Sequence, residues 1–499
     1  MNLRFLIRWF FVIPMVLRGL GKLVLSLVGV GGRSGKWIAG LWVRLPHFVQ
    51  NVLIGTLIAM AIHLGHGLGP VRATEDLAMD WMNRLQVDTR WLNDSKGLGY
   101  TLLDMDQASF DAWGEPFHVP RDPLAKLIRY AADGEARAIV VDVDLSRSGT
   151  DAAADQALAG LITDYPSQAP DLILLRTTRA RAPGETGPLQ WRGTFFDDRS
   201  LSDAVHFAHP RYVKDRSDLR LRRWHLIERG CLNGQPTALP SVQLLLDVLL
   251  RAGREGWREV QGRLAETGPH DCAAAEGGDH GGLDHLNYGD RSVRLDAHGV
   301  DQRVIYSYSD SPRKGTVSPG LERISAAALL KHLPGASAEP VHGRIVVIGA
   351  SYDASRDRHE TPVGSMPGAL VLLNATKSLN QFGQIHGPST RSVLLTETGL
   401  ILLMAWFFSR FKSWWATLMT GSLIILILVP VSFWWFRYGV WIDLAAPILA
   451  MALHQALANW EESSHDRTSV RLPQPGTNDP LHPRVGLGAG GGRTFRPWS

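Results

Sequence analysis

Cysteine is close to absent. The chain of 499 residues has two, Cys231 and Cys272. That excludes a disulfide-dense scaffold and a cysteine-rich zinc module. It leaves open whether the two pair, which requires an oxidising compartment. Acidic residues are missing from residues 1–47, where Arg4, Arg8, Arg18, Lys22, Arg33, Lys36 and Arg44 all occur. The overall charge of +4 conceals this asymmetry. Leu, Val, Phe and Trp interleave the basic residues, so the segment suits a lipid surface and not nucleic acid. Lys, Arg, Asp and Glu are all absent from 48–71.

The charge-free segment 48–71 is long enough to cross a bilayer. Three more follow near the carboxyl end, at 392–408, 414–436 and 440–458, with Trp406, Trp414, Trp415, Trp434, Trp435, Trp441 and Trp460 at their ends. Tryptophan favours the membrane interface. At helical spacing Arg4, Arg8, Arg18 and Lys22 share one face, so residues 3–28 read as an amphipathic helix within a basic cytoplasmic segment 1–47, with a true span over 3–28 as the competing reading. Basic residues before the first span, and Arg410 and Lys412 between the second and third, stay cytoplasmic by the positive-inside rule. Residues 72–391 are then extracytoplasmic, in the periplasm of an inner-membrane protein. Residues 461–499, which include GLGAGGGR, read as a disordered cytoplasmic tail.

Within 72–391, apolar runs and helical patterns alternate. Strands are predicted at 100–105, 138–143 and 172–175, and helices at 121–130 and 151–162. This order implies an α/β domain with a mostly parallel sheet. Residues 176–235 are loop-rich and basic and read as an insertion. A helix is predicted over 240–252, a mobile loop over 264–290 and another helix over 324–333. A buried strand at 344–348, a polar loop and a helix from 369 to 382 complete the domain.

Three segments carry a family pattern: LLDMDQASFDAWGEPFHVPRDPLAKLI (102–128), VVDVDLSRSGTDAAADQAL (140–158) and GRIVVIGASYDASRDRHETPVGSMPGALVLLNA (343–375). In that order they resemble the second class of CHASE domain, an extracellular sensory domain associated with cyclases and histidine kinases. The resemblance covers about residues 75–460. The insertions at 176–235 and 264–290 depart from it, as does Asp144 where an aromatic residue is usual. Relatives usually carry a kinase or cyclase after the last span, and residues 461–499 hold no such signature. The resemblance therefore implies a membrane sensor or interaction subunit without an output domain. It would act through a membrane protein partner or as a homo-oligomer.

Asp104, Asp106, Asp142 and Asp144 stand at the carboxyl ends of two strands expected to be neighbours, the edge where parallel sheets bind ligands. With the resemblance, this nominates Asp104, Arg121, Asp142, Asp357 and Thr361 as ligand-binding residues for an unidentified small molecule, without cofactor. An alternative is a periplasmic metal-dependent hydrolase with a divalent ion on Asp104 or Asp106 and Asp142, and Asp104 as nucleophile. The competing structural reading is that these aspartates cap helices and anchor loops, and no metal site is assigned. Cys272, His280, Asp284 and His285 do not fit a closed zinc pattern. Ser351 lacks the glycine frame of a nucleophile elbow. Finally, His63, His66, Glu397 and Asp443 fall towards the same outer side of the spans. They form a candidate polar layer coupling the domain to the membrane helices.

Overall fold

The computed structural model describes residues 44–64, 69–88, 97–179, 188–215, 217–266, 272, 283–295, 300–310, 320–333, 335–436 and 438–442. Leu45–Phe411 with Trp415–Met451 forms one compact unit. The amphipathic segment 1–43, most of the fourth predicted span and the tail lie outside the described residues.

The chain order is α1 (His47–Leu64), α2 (Gly69–Asp88), β1 (Tyr100–Met105), α3 (Gln107–Ala112), α4 (Arg121–Asp133), β2 (Ala138–Asp142), α5 (Ala152–Thr163) and β3 (Asp171–Leu175). The region read as an insertion then supplies β4 (Leu189–Gln190), β5 (Val205–Ala208), β6 (Tyr212–Lys214), β7 (Leu221–Trp224) and β8 (Ile227–Leu232), with β9 (Gln235–Pro240) closing it. There follow α6 (Val242–Glu266), β10 (His285–Tyr288), β11 (Arg291–Arg294), β12 (Leu321–Ser325), α7 (Ala326–Lys331) and β13 (Ile345–Ala350). The hairpin β14 (Arg358–Thr361) and β15 (Gly364–Pro367) leads into α8 (Gly368–Phe382) and then α9 (Thr390–Arg410).

The main sheet has six strands in the order β12-β1-β13-β2-β3-β5, and every pairing is parallel. Its central strands are buried on both faces, which is why they read as near-continuous apolar runs. One face carries Tyr100, Leu102, Val140, Ile173 and Val347 against α6 and α8. The other carries Leu103, Met105, Ile139, Val141 and Ile348 against α4, α5 and α7. Local signals start the helices. Asp151 caps α5 by accepting from the Ala153 and Ala154 amides at 2.9 and 3.3 Å. In α6, Gly253 sits at φ 66°, where its missing Cβ allows a kink.

Several expectations change. The strands bearing Asp104 and Asp142 are not neighbours, because β13 lies between them. Ile324 and Ser325, predicted to open a helix over 324–333, instead end edge strand β12, which pairs with β1. The supposed loop 264–290 contains β10, paired with β11, and the region 176–235 contains strands throughout. Of the four predicted spans, two described helices are long and apolar enough to cross a membrane, Arg391–Arg410 and Trp414–Phe436. The first predicted span, 48–71, is shorter: its apolar helical part is His47–Ile62, and the charged α2 begins at Gly69. Gly69 and Pro70 start that helix, a position where proline costs no hydrogen bond. The fourth, 440–458, enters the described residues only at 440–442, which are not helical.

The helices α1 and α9 pack together, and Gly55 allows their approach: a Cβ there would stand 3.8 Å from the Ile401 Cβ. The segment 438–442 docks on the α/β domain. His386 donates to the Gly439 carbonyl at 3.0 Å, and Trp441 donates to the His386 carbonyl at 2.9 Å. Beneath it Phe433, Phe436 and Trp441 pack with Met79 and Met82 of α2 and with Ile305 and Ile385.

Candidate sensory site at the sheet edge

The chain reverses its winding at β13. The helix after β2 covers one face and the helix after β13 covers the other. In a parallel sheet such a switch opens a crevice beyond the carboxyl ends of the two strands. Asp142 ends β2 there, in register with Gly349 of β13. The segment after β13 folds back over the crevice and carries Asp357, immediately before β14.

Small residues let these parts approach. A Cβ on Gly349 would come within 2.5 Å of the Ala369 Cβ and 3.5 Å of Asp142 Oδ2. A Cβ on Gly368, the first residue of α8, would fall on the Asp357 carboxylate. Asp357 therefore lies against the amino end of α8, where a negative charge is favoured. Its Oδ1 contacts His359 Nε2 at 2.9 Å. Burial, and then the Asp357 charge, push Asp142 up to about 8. The Tyr212 hydroxyl is buried without a hydrogen-bond partner. Burial raises its pKa well above the ordinary value, with smaller contributions from Tyr306, Asp142 and Asp357. This end of the sheet thus brings Asp142, Asp357 and His359 together, with Tyr212 in the field of both carboxylates.

The nominated residues divide. Asp142 and Asp357 come together. Asp104 aligns with the opposite side of Gly349 and is engaged by Arg323 Nε at 2.6 Å. Burial still holds its pKa above the ordinary value, against the opposing effects of Ser351 and Arg323. Two strand spacings, about 9.5 Å, separate the Asp104 and Asp142 backbones. Among the described residues no three His, Cys, Asp or Glu side chains form a metal-binding group. Asp106 caps α3 through the Ser109 amide at 2.9 Å, and Asp144 accepts from the Ser146 amide at 2.9 Å. Both follow the capping and anchoring reading.

Arg121 is buried under the β2–α5 loop. It meets Asp155 Oδ1 at 3.2 Å and the Arg147 carbonyl at 2.8 Å. Thr361 shapes the β14–β15 turn, donating from Oγ1 to the Gly364 carbonyl at 2.5 Å. Cys272 is bonded to Cys231, so it is not a metal ligand. His280 lies outside the described residues. In the proposed polar layer, His63 falls in α1 and Glu397 in α9, while His66 and Asp443 lie outside the described residues.

The sheet edge is strapped to α2, the charged helix that follows α1. Arg84 Nε donates to the Pro362 carbonyl, in the β14–β15 turn, at 2.7 Å. Asn83 Oδ1 accepts from the Tyr306 amide at 2.7 Å. Asp80 is held by Arg222 at 3.0 and 2.8 Å, and Asp76 by Arg223 at 2.8 Å. The β6–β7 hairpin that carries both arginines also carries Tyr212. Burial opposes the Arg222 charge, but Asp80 and Asp218 hold its pKa above the ordinary value. The predicted insertion is therefore a clamp on α2. The alternation of YVK and LRRW was the available signal for its strands.

A parallel α/β domain joined to helices fit to cross a membrane defines a class of membrane-associated domains. Within that class, the CHASE2 domain model matches residues 54–410, more than half of the chain, and the chain belongs to the CHASE2 domain family, whose members are sensory. The match starts within α1 and ends at the last residue of α9. No curated protein and no solved structure matches the chain.

Proposed function

We propose that the protein is a multi-pass inner-membrane sensor or interaction subunit. Its CHASE2 domain faces the periplasm, and it signals or assembles through a membrane protein partner or a second copy. The observation that carries this reading is the strapping of the sheet edge to α2. One stretch of helix receives Arg84–Pro362 from the hairpin beside Asp357, and Arg222 and Arg223 from the hairpin bearing Tyr212. A rearrangement at the crevice would therefore pull on α2, and through it on α1 and its packing against α9. The Cys231–Cys272 bond supports an oxidising compartment for the domain. The docking of 438–442 on the domain supports placing that turn on the domain's side of the membrane.

His63, His66, Glu397 and Asp443 belong to the proposal as a polar layer beneath the domain. Capture of the full chain from membranes in mild detergent tests the reading. A co-purifying membrane protein lost in Arg84→Ala supports coupling through α2. A chain that is monomeric and partnerless in native membranes contradicts it. Phosphatase assays with and without magnesium address the hydrolase alternative, for which inactivity under both conditions is expected.

A further inference from the structure

Most buried aspartates of the domain have a guanidinium: Asp80 with Arg222, Asp104 with Arg323, Asp155 with Arg121 and Asp247 with Arg251. Asp142 is different. Among the described residues no arginine or lysine pairs with it, and the charge it meets is the Asp357 carboxylate. Two carboxylates thus converge at the winding switch, in a crevice built to this shape by Gly349 and Gly368.

Two further buried groups point to what is missing. The Tyr212 hydroxyl has no partner, although the field of both carboxylates reaches it. His359 uses Nε2 on Asp357, and its buried Nδ1 has no partner. In the neutral ring with Nε2–H donating to the carboxylate, Nδ1 is an acceptor. The crevice edge is therefore rich in acceptors, and among the described residues no arginine or lysine pairs with Asp142. A group that is positively charged and donates several hydrogen bonds matches it, and an ammonium has three donors and no acceptor. A metal ion matches less well, because these side chains do not form a metal-binding group.

We propose that this crevice binds a small primary ammonium compound, its –NH3+ seated between the Asp142 and Asp357 carboxylates and against the Tyr212 hydroxyl. This deepens the sensory reading and rests on it for its purpose. Binding displaces the proton of Asp142 into the buffer, so the site exchanges one positive charge for another. The groups that face this proton are Asp357, from the segment before β14, and Tyr212, from β6; His359 acts through Asp357.

The test uses the purified full chain at pH 7. Methylammonium, ethanolammonium and 1,4-diaminobutane chlorides are titrated calorimetrically against tetramethylammonium chloride at equal ionic strength. Buffers of different ionisation enthalpy report proton release. At least one primary amine binds with release of up to about one proton, and tetramethylammonium, which has no N–H, does not. Asp357→Asn and Asp142→Asn each weaken binding about tenfold or more, and Asp142→Asn removes the proton release. Tyr212→Phe, which keeps the packing, weakens it several-fold. Absence of binding by all three amines, equal binding of tetramethylammonium, or proton release that survives Asp142→Asn overturns the proposal. The sensory reading is read out separately, by disulfide formation between Gly55→Cys and Ile401→Cys. If no amine binds but that bond still responds to pH, the ligand class is wrong and the sensor stands.

Discussion

Two polar regions flank α2, and they are built in opposite ways. In the clamp, Asp76, Asp80, Asp215 and Asp218 meet Arg220, Arg222 and Arg223, so buried charge is matched by opposite charge. At the sheet edge two carboxylates face each other, and a hydroxyl and a ring nitrogen have no partner. A satisfied network fixes a geometry; an unsatisfied one stores a demand that a proton or ligand can meet. On the proposed reading the clamp transmits and the edge receives, and Arg84–Pro362 ties the edge to the same helix.

The largest effect is expected from the clamp. Arg222→Ala leaves Asp80 buried without its main partner, at a cost of about 3–5 kcal/mol. Denaturant unfolding followed by tryptophan fluorescence measures it, and adding Asp80→Asn should restore part of the loss. A cost below about 1 kcal/mol would mean that the clamp behaves as a solvated surface pair, and the contrast would fail. Reducing the Cys231–Cys272 bond, which ties β8 to the segment after α6, should cost about 2–4 kcal/mol. A paired unfolding series with and without reductant reads it.

At the edge, Gly368→Ala puts a methyl group on the Asp357 carboxylate and should cost about 1–3 kcal/mol. It should also change the Asp142 titration, seen by carboxyl chemical shifts; an unchanged titration would separate Gly368 from the site. A further effect at the edge concerns pH. The folded pKa of Asp142, about 8, lies above its ordinary value of 3.8. The native state therefore holds the proton more tightly. Its contribution is fully present below about pH 4 and is lost as pH rises through about 8. Asp142→Asn should leave stability near pH 4 unchanged and raise it increasingly over the parent as pH climbs from about 4 to about 8, by up to several kcal/mol. A pH profile identical to the parent would remove the tight hold on that proton, and the edge would resemble any other loop.

Much of the sheet was legible because β1, β2, β3 and β13 are apolar runs punctuated by Gly, Asp and Pro. The helices α4, α5 and α8 announced themselves through periodicity and caps. The failures are long-range. Nothing local says that β13 inserts between β1 and β2, so Asp104 and Asp142 looked like neighbours. Ile324 and Ser325 read as the start of a helix because AAALLK follows, but pairing with β1 overrides that propensity. Of the five nominated residues, Asp142 and Asp357 meet: Asp142 is a strand end at the switch point, and Asp357 lies on the segment that folds back over it. Arg121 and Thr361 looked similar in sequence but hold loops. Tyr212 and Arg84 were missed because their partners lie far along the chain, 278 residues away for Arg84 and Pro362.

The state of the Asp142–Asp357 edge is proposed to reach the membrane helices through α2. Gly55→Cys with Ile401→Cys tests it most directly, because a Cβ on Gly55 would stand 3.8 Å from the Ile401 Cβ, a separation suited to a disulfide. Oxidation yield is measured in membranes at pH 6 and pH 9, in the double variant alone and with Asp142→Asn or Arg84→Ala added. The pH dependence of thiol chemistry is common to all three. A pH response in the double variant that exceeds the response with either added substitution is the predicted result. Equal responses in all three would contradict the account.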